Sequence, residues 1–383
     1  MSVESPPRLS LGQIAGYFLR LGTTGFGGPI ALAGYMQRDL VERRRWFTQE
    51  EYLQGLAVSQ TLPGPLAAQL AMWLGYVRRG FWGAVAAAVP FILPPFVIVS
   101  IVAALYVAFR GTTVIQALFY GIGPTVIALI LRGAWKLLGV TVKNDRRLWA
   151  IFAVVTLITF AVRSEVAVLF VLAGFLGVLL YAPPGWLRRP AISPAAIPLG
   201  LGTLVTQAAD PNVLVQLGIF FFKAGAFTFG SGLAIVPFPG VVRDYGWLTE
   251  REFLDAVAMG MITPGPVVIT AVFVGYLVAG LPGATIAGIG VFLPPFLMVV
   301  LFAPWIIRYR KHPVVQGFTK GATAAAAGAI VGAAGVIATQ VLVDVPTISI
   351  FVISLVILWR LRVPEPALVA VSAIVGLVLF GLR

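Results

Sequence analysis

Apolar runs separated by short charged loops make up most of the chain. The first run covers residues 11–36, and the charged loop 37–54 follows it. Next come residues 55–76, the pair Arg78-Arg79, a run over 81–109, and another over 114–138. A basic loop with Lys143, Arg146 and Arg147 leads to two shorter runs, 148–162 and 166–181, hinged at Arg163-Ser164-Glu165. A helix of roughly 17–25 apolar residues crosses a bilayer. The long runs therefore predict transmembrane helices, and the short pair predicts two tilted helices or a shallow hairpin.

Two of these runs are interrupted in the same way. Gln60-Thr61-Leu62-Pro63-Gly64-Pro65 lies inside the run 55–76, and Ile262-Thr263-Pro264-Gly265-Pro266 lies inside a later one. Each proline removes a donor and clashes with the preceding turn, and the glycine adds backbone freedom, so no helix continues through either motif. Freed backbone groups at membrane depth need partners in protein or in a water-lined cavity. Two matching breaks in two halves of a membrane chain mark the binding site of a transporter.

The whole pattern repeats. Phe18-Leu19-Arg20-Leu21-Gly22 with Phe26-Gly27-Gly28 is echoed by Phe221-Phe222-Lys223-Ala224-Gly225 with Phe229-Gly230-Ser231. Trp46-Phe47-Thr48 and Glu51 return as Trp247-Leu248-Thr249 and Glu252. Gly75-Tyr76 returns as Gly275-Tyr276, and Leu93-Pro94-Pro95-Phe96 as Leu293-Pro294-Pro295-Phe296. So many rare residues at a nearly constant offset predict an internal duplication. The halves are 1–181 and 213–383, joined by a Pro- and Ala-rich linker, 182–212, that holds Arg188-Arg189.

Loop charges bear on how the halves are oriented. In the first half Arg78, Arg79, Lys143, Arg146 and Arg147 occupy one set of loops, and the matching loops of the second half, 278–282 and 341–346, contain no Lys or Arg. There the bases fall on the other set, at Arg243, Arg251, Arg308, Arg310, Lys311, Arg360 and Arg362. Positive loops stay in the cytoplasm, so the swap predicts inverted repeats. Arg43, Arg44 and Arg45 are the exception, because a chain of simple crossings places them on the outer set. The expected fold is an all-α polytopic membrane protein of about 10–12 transmembrane segments in two inverted halves, broken at the Gly-rich and Pro-Gly-Pro motifs.

Composition narrows the class. Of 383 residues, 59% are hydrophobic and 11% charged, and mean hydropathy is +0.97, far from the roughly 25% charged of a soluble domain. The net charge of +13 comes from bases that flank apolar runs, which favours contact with lipid headgroups over a nucleic-acid surface. The chain lacks cysteine and has one histidine, His312, in a basic loop. Disulfides, thiolate chemistry and histidine metal cages are excluded, and neither a metal nor a cofactor is expected. Residues 1–10 lack the features of a signal peptide, so insertion through the first helix is expected.

The broken helices carry the candidate chemistry. The N–H groups that open a second half-helix, approached closely over glycine, hold oxyanions. The candidate substrate contacts are Gly27, Gly28, Gln60, Thr61, Gly64, Gly230, Ser231, Thr263 and Gly265, with breaks at Pro29, Pro63, Pro65, Pro264 and Pro266. Arg20 and Lys223 stand one turn or so before the Gly-rich breaks. A cation there costs energy and marks a substrate path; snorkelling from a helix end is the alternative. Glu51 and Glu252 fit a Thr-x-x-Glu capping box behind Thr48 and Thr249, with proton coupling as the sharper role. They and Asp255, Glu165 and Glu365 all fall at loops or helix ends, so no acid is expected in mid-membrane. No catalytic triad or nucleotide-binding loop is present, so the chain is not expected to be an enzyme.

At these residues the sequence resembles the chromate transporter family. The resemblance rests on Phe26-Gly27-Gly28-Pro29, Glu42-Arg43-Arg44-Arg45-Trp46, Gln60-Thr61-Leu62-Pro63-Gly64-Pro65, Gly75-Tyr76 and Leu93-Pro94-Pro95 with their echoes, and it covers most of the chain. It implies an inner-membrane protein of two opposed homologous halves that exports chromate at the expense of the proton-motive force. The expected partners are chromate or a similar tetrahedral dianion, protons and the bilayer, with a homodimer left open. Leu32 stands where family members commonly carry a histidine, and Gly230-Ser231-Gly232 replaces Gly-Gly-Pro. The alternatives are transport of sulfate or another oxyanion, and a non-transporting sensor or scaffold.

Overall fold

The computed structural model describes residues 9–26, 28–109, 112–142, 145–162, 167–182, 213–228, 240–302, 305, 309, 312–361 and 363–381, and their regular structure is helical throughout. The first half contains α1 (Leu11–Thr24), α2 (Gly28–Met36) running into a π-turn (Gln37–Arg43), α3 (Gln49–Thr61), α4 (Leu66–Phe109), α5 (Thr113–Thr141), α6 (Arg146–Val162) and α7 (Ala167–Tyr181). The second contains α8 (Val213–Phe227), a π-turn (Gly240–Asp244), α9 (Glu250–Ile262), a 3-10 turn (Val267–Ile269), α10 (Thr270–Leu297) with a π-turn beyond it, α11 (Pro313–Val341), α12 (Val345–Arg360) and α13 (Glu365–Gly381). Among the described residues, four helices are long and apolar enough to cross a membrane, drawn from α4, α5, α10 and α11.

Neither α4 nor α10 is a straight rod. Arg79 and Gly80 leave helical geometry, with φ −141° and 56°. A Cβ on Gly75 would lie 2.7 Å from the carbonyl carbon of Gly83. Residues eight apart on a straight helix are about 12 Å apart, so the chain reverses at Arg79-Gly80. Ala279-Gly280 turns α10 in the same way, with Gly275 against Gly283. The first arm of each helix, 66–78 and 270–278, lies back along the helix before it.

This reversal corrects the reading of 55–76 as a broken crossing. Arg78, at the end of the returning arm, donates to Glu51 Oε1 at 2.7 Å and Oε2 at 2.6 Å, at the start of α3. It also donates to the Trp46 carbonyl, and Trp73 Nε1 reaches the Glu51 carbonyl. Entry and exit are therefore adjacent, and Pro63-Gly64-Pro65 is the tip of a hairpin. The run 11–36 divides likewise. The Arg44 guanidinium, beyond α2, lies over the rings of Tyr17 and Trp46 at 5.5 and 4.8 Å, and Arg79 Nε donates to the Leu9 carbonyl at 2.6 Å. The bases of both first-half hairpins thus share one side. Arg43, Arg44 and Arg45 join Arg78 and Arg79 there, which removes the first-half exception, whereas the reversal at Ala279-Gly280 sets Arg251 of the second half beside the base-free loop 278–282.

Capping fixes where the hairpins begin. Thr48 and Glu51, and Thr249 and Glu252, form reciprocal capping boxes, each holding two N–H groups that a helix leaves unpaired. His312 caps α11, its Nδ1 accepting from the Val314 amide at 3.3 Å. The two short runs are separate helices, α6 and α7, packed on α11. There Gly328 and Gly332 face Phe152 and Thr156, while Gly317 and Gly321 face Gly177 and Ala173. Small residues let backbones close up where lipid supplies no hydrophobic drive.

The Arg78 side chain is 9% exposed and that of Glu51 24%. Arg78→Ala removes a bidentate partner from a half-buried carboxylate, at a cost of about 3 kcal/mol. A lower unfolding temperature of the purified protein is expected, and an unchanged one would show that the hairpin base does not depend on this pair.

Candidate functional site

Each Pro-Gly-Pro tip is bonded to the end of the opposite half's first helix. The Gly265 amide, at the tip of the second-half hairpin, donates to the Gly25 carbonyl at the end of α1 at 2.8 Å. Reciprocally, the Gly64 amide donates to the carbonyl of Thr228, which follows α8. Gly25 and Thr228 hold equivalent places in the repeat, as do Gly64 and Gly265, so each half grips the other by the same bond. The Leu-Pro-Pro segments complete the crossing: a Cβ on Gly64 would lie 2.6 Å from Pro295 Cβ, and one on Gly265 2.8 Å from Pro95 Cγ. Their φ angles, 142° and 94°, lie in the region that favours glycine. In this conformation both amides are held by carbonyls of the opposite half.

Beside one of these pairs is a cationic pocket of about 340 Å³, between α1 and the returning α2. Arg20, Arg38, Arg43 and Arg44 line it with Tyr17, Tyr35, Thr24, Asp39 and Gly25. Four guanidiniums against one carboxylate leave a formal +3. Arg43 and Asp39 approach to 3.5 Å, and the buried Tyr17 hydroxyl has no hydrogen-bond partner among the described residues. Arg20, exposed on α1, is one wall of this pocket. The neighbouring arginines were missed as site residues, because the sequence showed a loop and not a return beside α1. In the second half, Pro239, Asp244 and Tyr245 replace Arg38, Arg43 and Arg44, so the charge cluster is not duplicated.

The other candidates fall in several places. Pro65, Pro264, Pro266, Gly64 and Gly265 are buried at the tips, with Pro63 half-buried. Gly28, at φ 72°, and Pro29 open α2 half-buried. Gln60 is exposed near the end of α3, which Thr61 closes. Thr263 caps α9, and its hydroxyl donates back to the Met259 carbonyl. Buried Gln69 holds the tip by donating to the Pro63 carbonyl at 2.8 Å, and its Oε1 is without a partner among the described residues. Lys223 is exposed on α8. Gly27, Gly230 and Ser231 lie outside the described residues, as does Glu165.

One acid departs from expectation. Asp255 is 4% exposed and sits within α9, where its Oδ2 accepts from the Tyr106 hydroxyl on α4 at 2.6 Å. The reading that placed it with acids at helix ends is corrected, because a hairpin arm capped at Thr249 carries its second turn inside the protein. The signal in the sequence was a broken echo: the equivalent first-half residue is Gln54.

Comparison with known proteins bears on this geometry. The family model described as "Chromate transporter" matches residues 12–178 and again 215–377. A "Chromate transport protein" of Cupriavidus metallidurans is 50% identical over all of this chain and 96% of its own length. A "Probable chromate transport protein" of Synechococcus elongatus is 46% identical over 98% of this chain and 97% of its own. A "Chromate transport protein" of Pseudomonas aeruginosa is 31% identical over 98% and 94%. No solved structure matches the chain.

Proposed function

Given that this chain belongs to the chromate transporter family, a multi-pass membrane transporter and not an enzyme, we propose that it exports chromate by alternating access, driven by the proton-motive force. The observation that carries the reading is the arginine pocket, lined also by Gly25, whose carbonyl the opposite half grips. Chromate is a tetrahedral dianion. Guanidiniums present forked donors to such oxyanions, and Asp39 tempers their charge, which favours release.

The halves, 1–181 and 213–383 about the linker 182–212, are proposed to be inverted repeats. Contacts at opposite ends of α4 support this. The first-half hairpins have their bases near Arg79, whereas Asp255, near the base of α9, meets Tyr106 close to the far end. Arg251 donates to the Gln116 carbonyl at that same far end, at 3.2 Å. Arg43, Arg44, Arg45, Arg78 and Arg79 mark their side as cytoplasmic under the positive-inside rule, which opens the pocket to cytoplasmic anions, as export requires.

Rocking of the halves breaks the two cross-bonds and frees the Gly64 and Gly265 amides for the oxyanion. Gly27, Gly28, Gln60, Thr61, Gly230, Ser231 and Thr263 contribute further donors from the same breaks. Lys223 offsets charge on the exit side. Glu51 and Glu252 act first as caps.

Chromate uptake by everted vesicles tests the proposal. Vesicles carrying the chain should accumulate chromate when energised, and excess sulfate should slow uptake by competing for the same donors. Uptake no greater than in empty vesicles would refute transport. Faster carriage of labelled sulfate than of chromate would reassign the substrate and leave the site standing.

A further inference from the structure

We propose that Asp255, clasped by Tyr106, is the proton-binding group of the transport cycle. The inference rests on the proton-coupled reading above and names the site that reading lacks. Asp255 belongs to the second half and Tyr106 to the first, so their 2.6 Å hydrogen bond spans the two bodies that are expected to rock. The phenol is walled by the rings of Phe119 and Phe273, with centroids at 5.7 and 5.4 Å, and the carboxyl is 4% exposed. A carboxyl in such surroundings is costly to keep charged unless a donor satisfies it. Its protonation is therefore coupled to whether the Tyr106 contact is made.

The groups around it set the route. The titratable groups acting on Asp255 are Tyr106 on α4 and Arg251 and Glu252 on its own helix. Arg251 and Glu252 lie about one turn nearer the base of α9, on the side opposite the arginine pocket. When the halves rock and Tyr106 withdraws, the carboxylate loses its donor and takes one proton from a hydronium ion at that side, forming an O–H bond and a neutral acid and leaving water. When the clasp re-forms, Tyr106 again favours the carboxylate and the proton passes to a water molecule on the other side. Each transfer breaks one O–H bond and forms one. The anion thus loads at one face and the proton at the other, the arrangement that opposed movement of the two requires.

The repeat supports a dedicated role. A purely structural residue would be expected in both halves, yet the first-half position is Gln54, whose side chain donates to Glu50 at 3.2 Å. Asn at 255 can still accept the Tyr106 bond and cannot titrate, which makes Asp255→Asn the discriminating variant.

The test uses purified full-length protein in proteoliposomes, with two readouts. With an acid interior, wild type should accumulate chromate and lose that accumulation when a protonophore is added. Asp255→Asn should show no gradient-driven accumulation, while chromate–chromate exchange at equal pH stays within about twofold of wild type. Tyr106→Phe should retain coupling but shift the midpoint of transport against pH upward, because the carboxylate loses its stabilising donor. Gradient-driven accumulation by Asp255→Asn at the wild-type level would overturn the assignment and leave proton coupling intact. Loss of exchange together with accumulation would also overturn it, by showing a role in binding or folding. A wild type indifferent to the gradient would instead refute proton coupling itself, and the assignment with it.

Discussion

Replacing Gly64 by alanine should abolish transport while leaving a protein that still inserts and can be purified. Three costs coincide at this residue. A φ of 142° is a conformation that costs an L-residue about 1–3 kcal/mol. The added methyl would lie 2.6 Å from Pro295 Cβ and from Gln69 Cδ, well inside the roughly 3.5–4.0 Å of a favourable carbon contact. Relief of that clash withdraws the tip from the other half and breaks the bond to the Thr228 carbonyl. Gly265→Ala should do the same, since its φ of 94° and its approach to Pro95 repeat the arrangement. Gly34→Ala is the control, because a methyl there meets nothing within 4 Å. Vesicle transport and size-exclusion profiles check all three. Normal transport by both tip variants would show that the crossing is dispensable.

The second large effect concerns charge. Arg20→Glu converts the formal +3 of the pocket to +1 and places a carboxylate where a dianion must pass. Two like groups at about 4 Å repel by roughly 1 kcal/mol per charge pair in water, and several-fold more in a partly dehydrated pocket. The expected loss in kcat/KM is therefore on the order of a hundredfold or more. Arg20→Lys keeps the charge but loses the fork, so it should raise KM with kcat near wild type. An Arg20→Glu variant with unchanged kcat/KM would remove the pocket from the anion's path. Separate measurement of kcat and KM makes the distinction.

Much of this arrangement was legible along the chain. Bilayer thickness sets the length of apolar runs, so the helices and their repetition were plain, and the Thr-x-x-Glu boxes gave the starts of α3 and α9. Pro63-Gly64-Pro65 was legible as a break, but not as the tip of a hairpin. That depends on the reversal at Arg79-Gly80 and on Arg78 closing back on Glu51 across 27 residues of sequence, and a local pattern of apolar residues cannot report such a contact. The same reversal moved Arg43, Arg44 and Arg45 to the side of Arg78. Asp255 was misread for a related reason. Its position six residues beyond the Thr249 cap resembles a helix end, and the partner that buries it, Tyr106, is 149 residues away. The two reciprocal bonds, from each Pro-Gly-Pro glycine amide to the carbonyl at the end of the opposite half's first helix, were not legible, because they join residues far apart in the sequence. Gly27, Gly230 and Ser231 remain candidates by their place in the repeat.

The central claim is that a tetrahedral dianion enters the arginine pocket from the cytoplasmic side. Thr24 lines that pocket, and the chain has no cysteine, so Thr24→Cys introduces a single reporter thiol. The decisive measurement is its labelling by a membrane-impermeant maleimide in everted and right-side-out vesicles, with and without molybdate, a tetrahedral dianion that does not oxidise thiols. Labelling confined to everted vesicles and slowed by molybdate is the predicted result. Labelling only from the opposite face, or at a rate that saturating molybdate leaves unchanged, would contradict it.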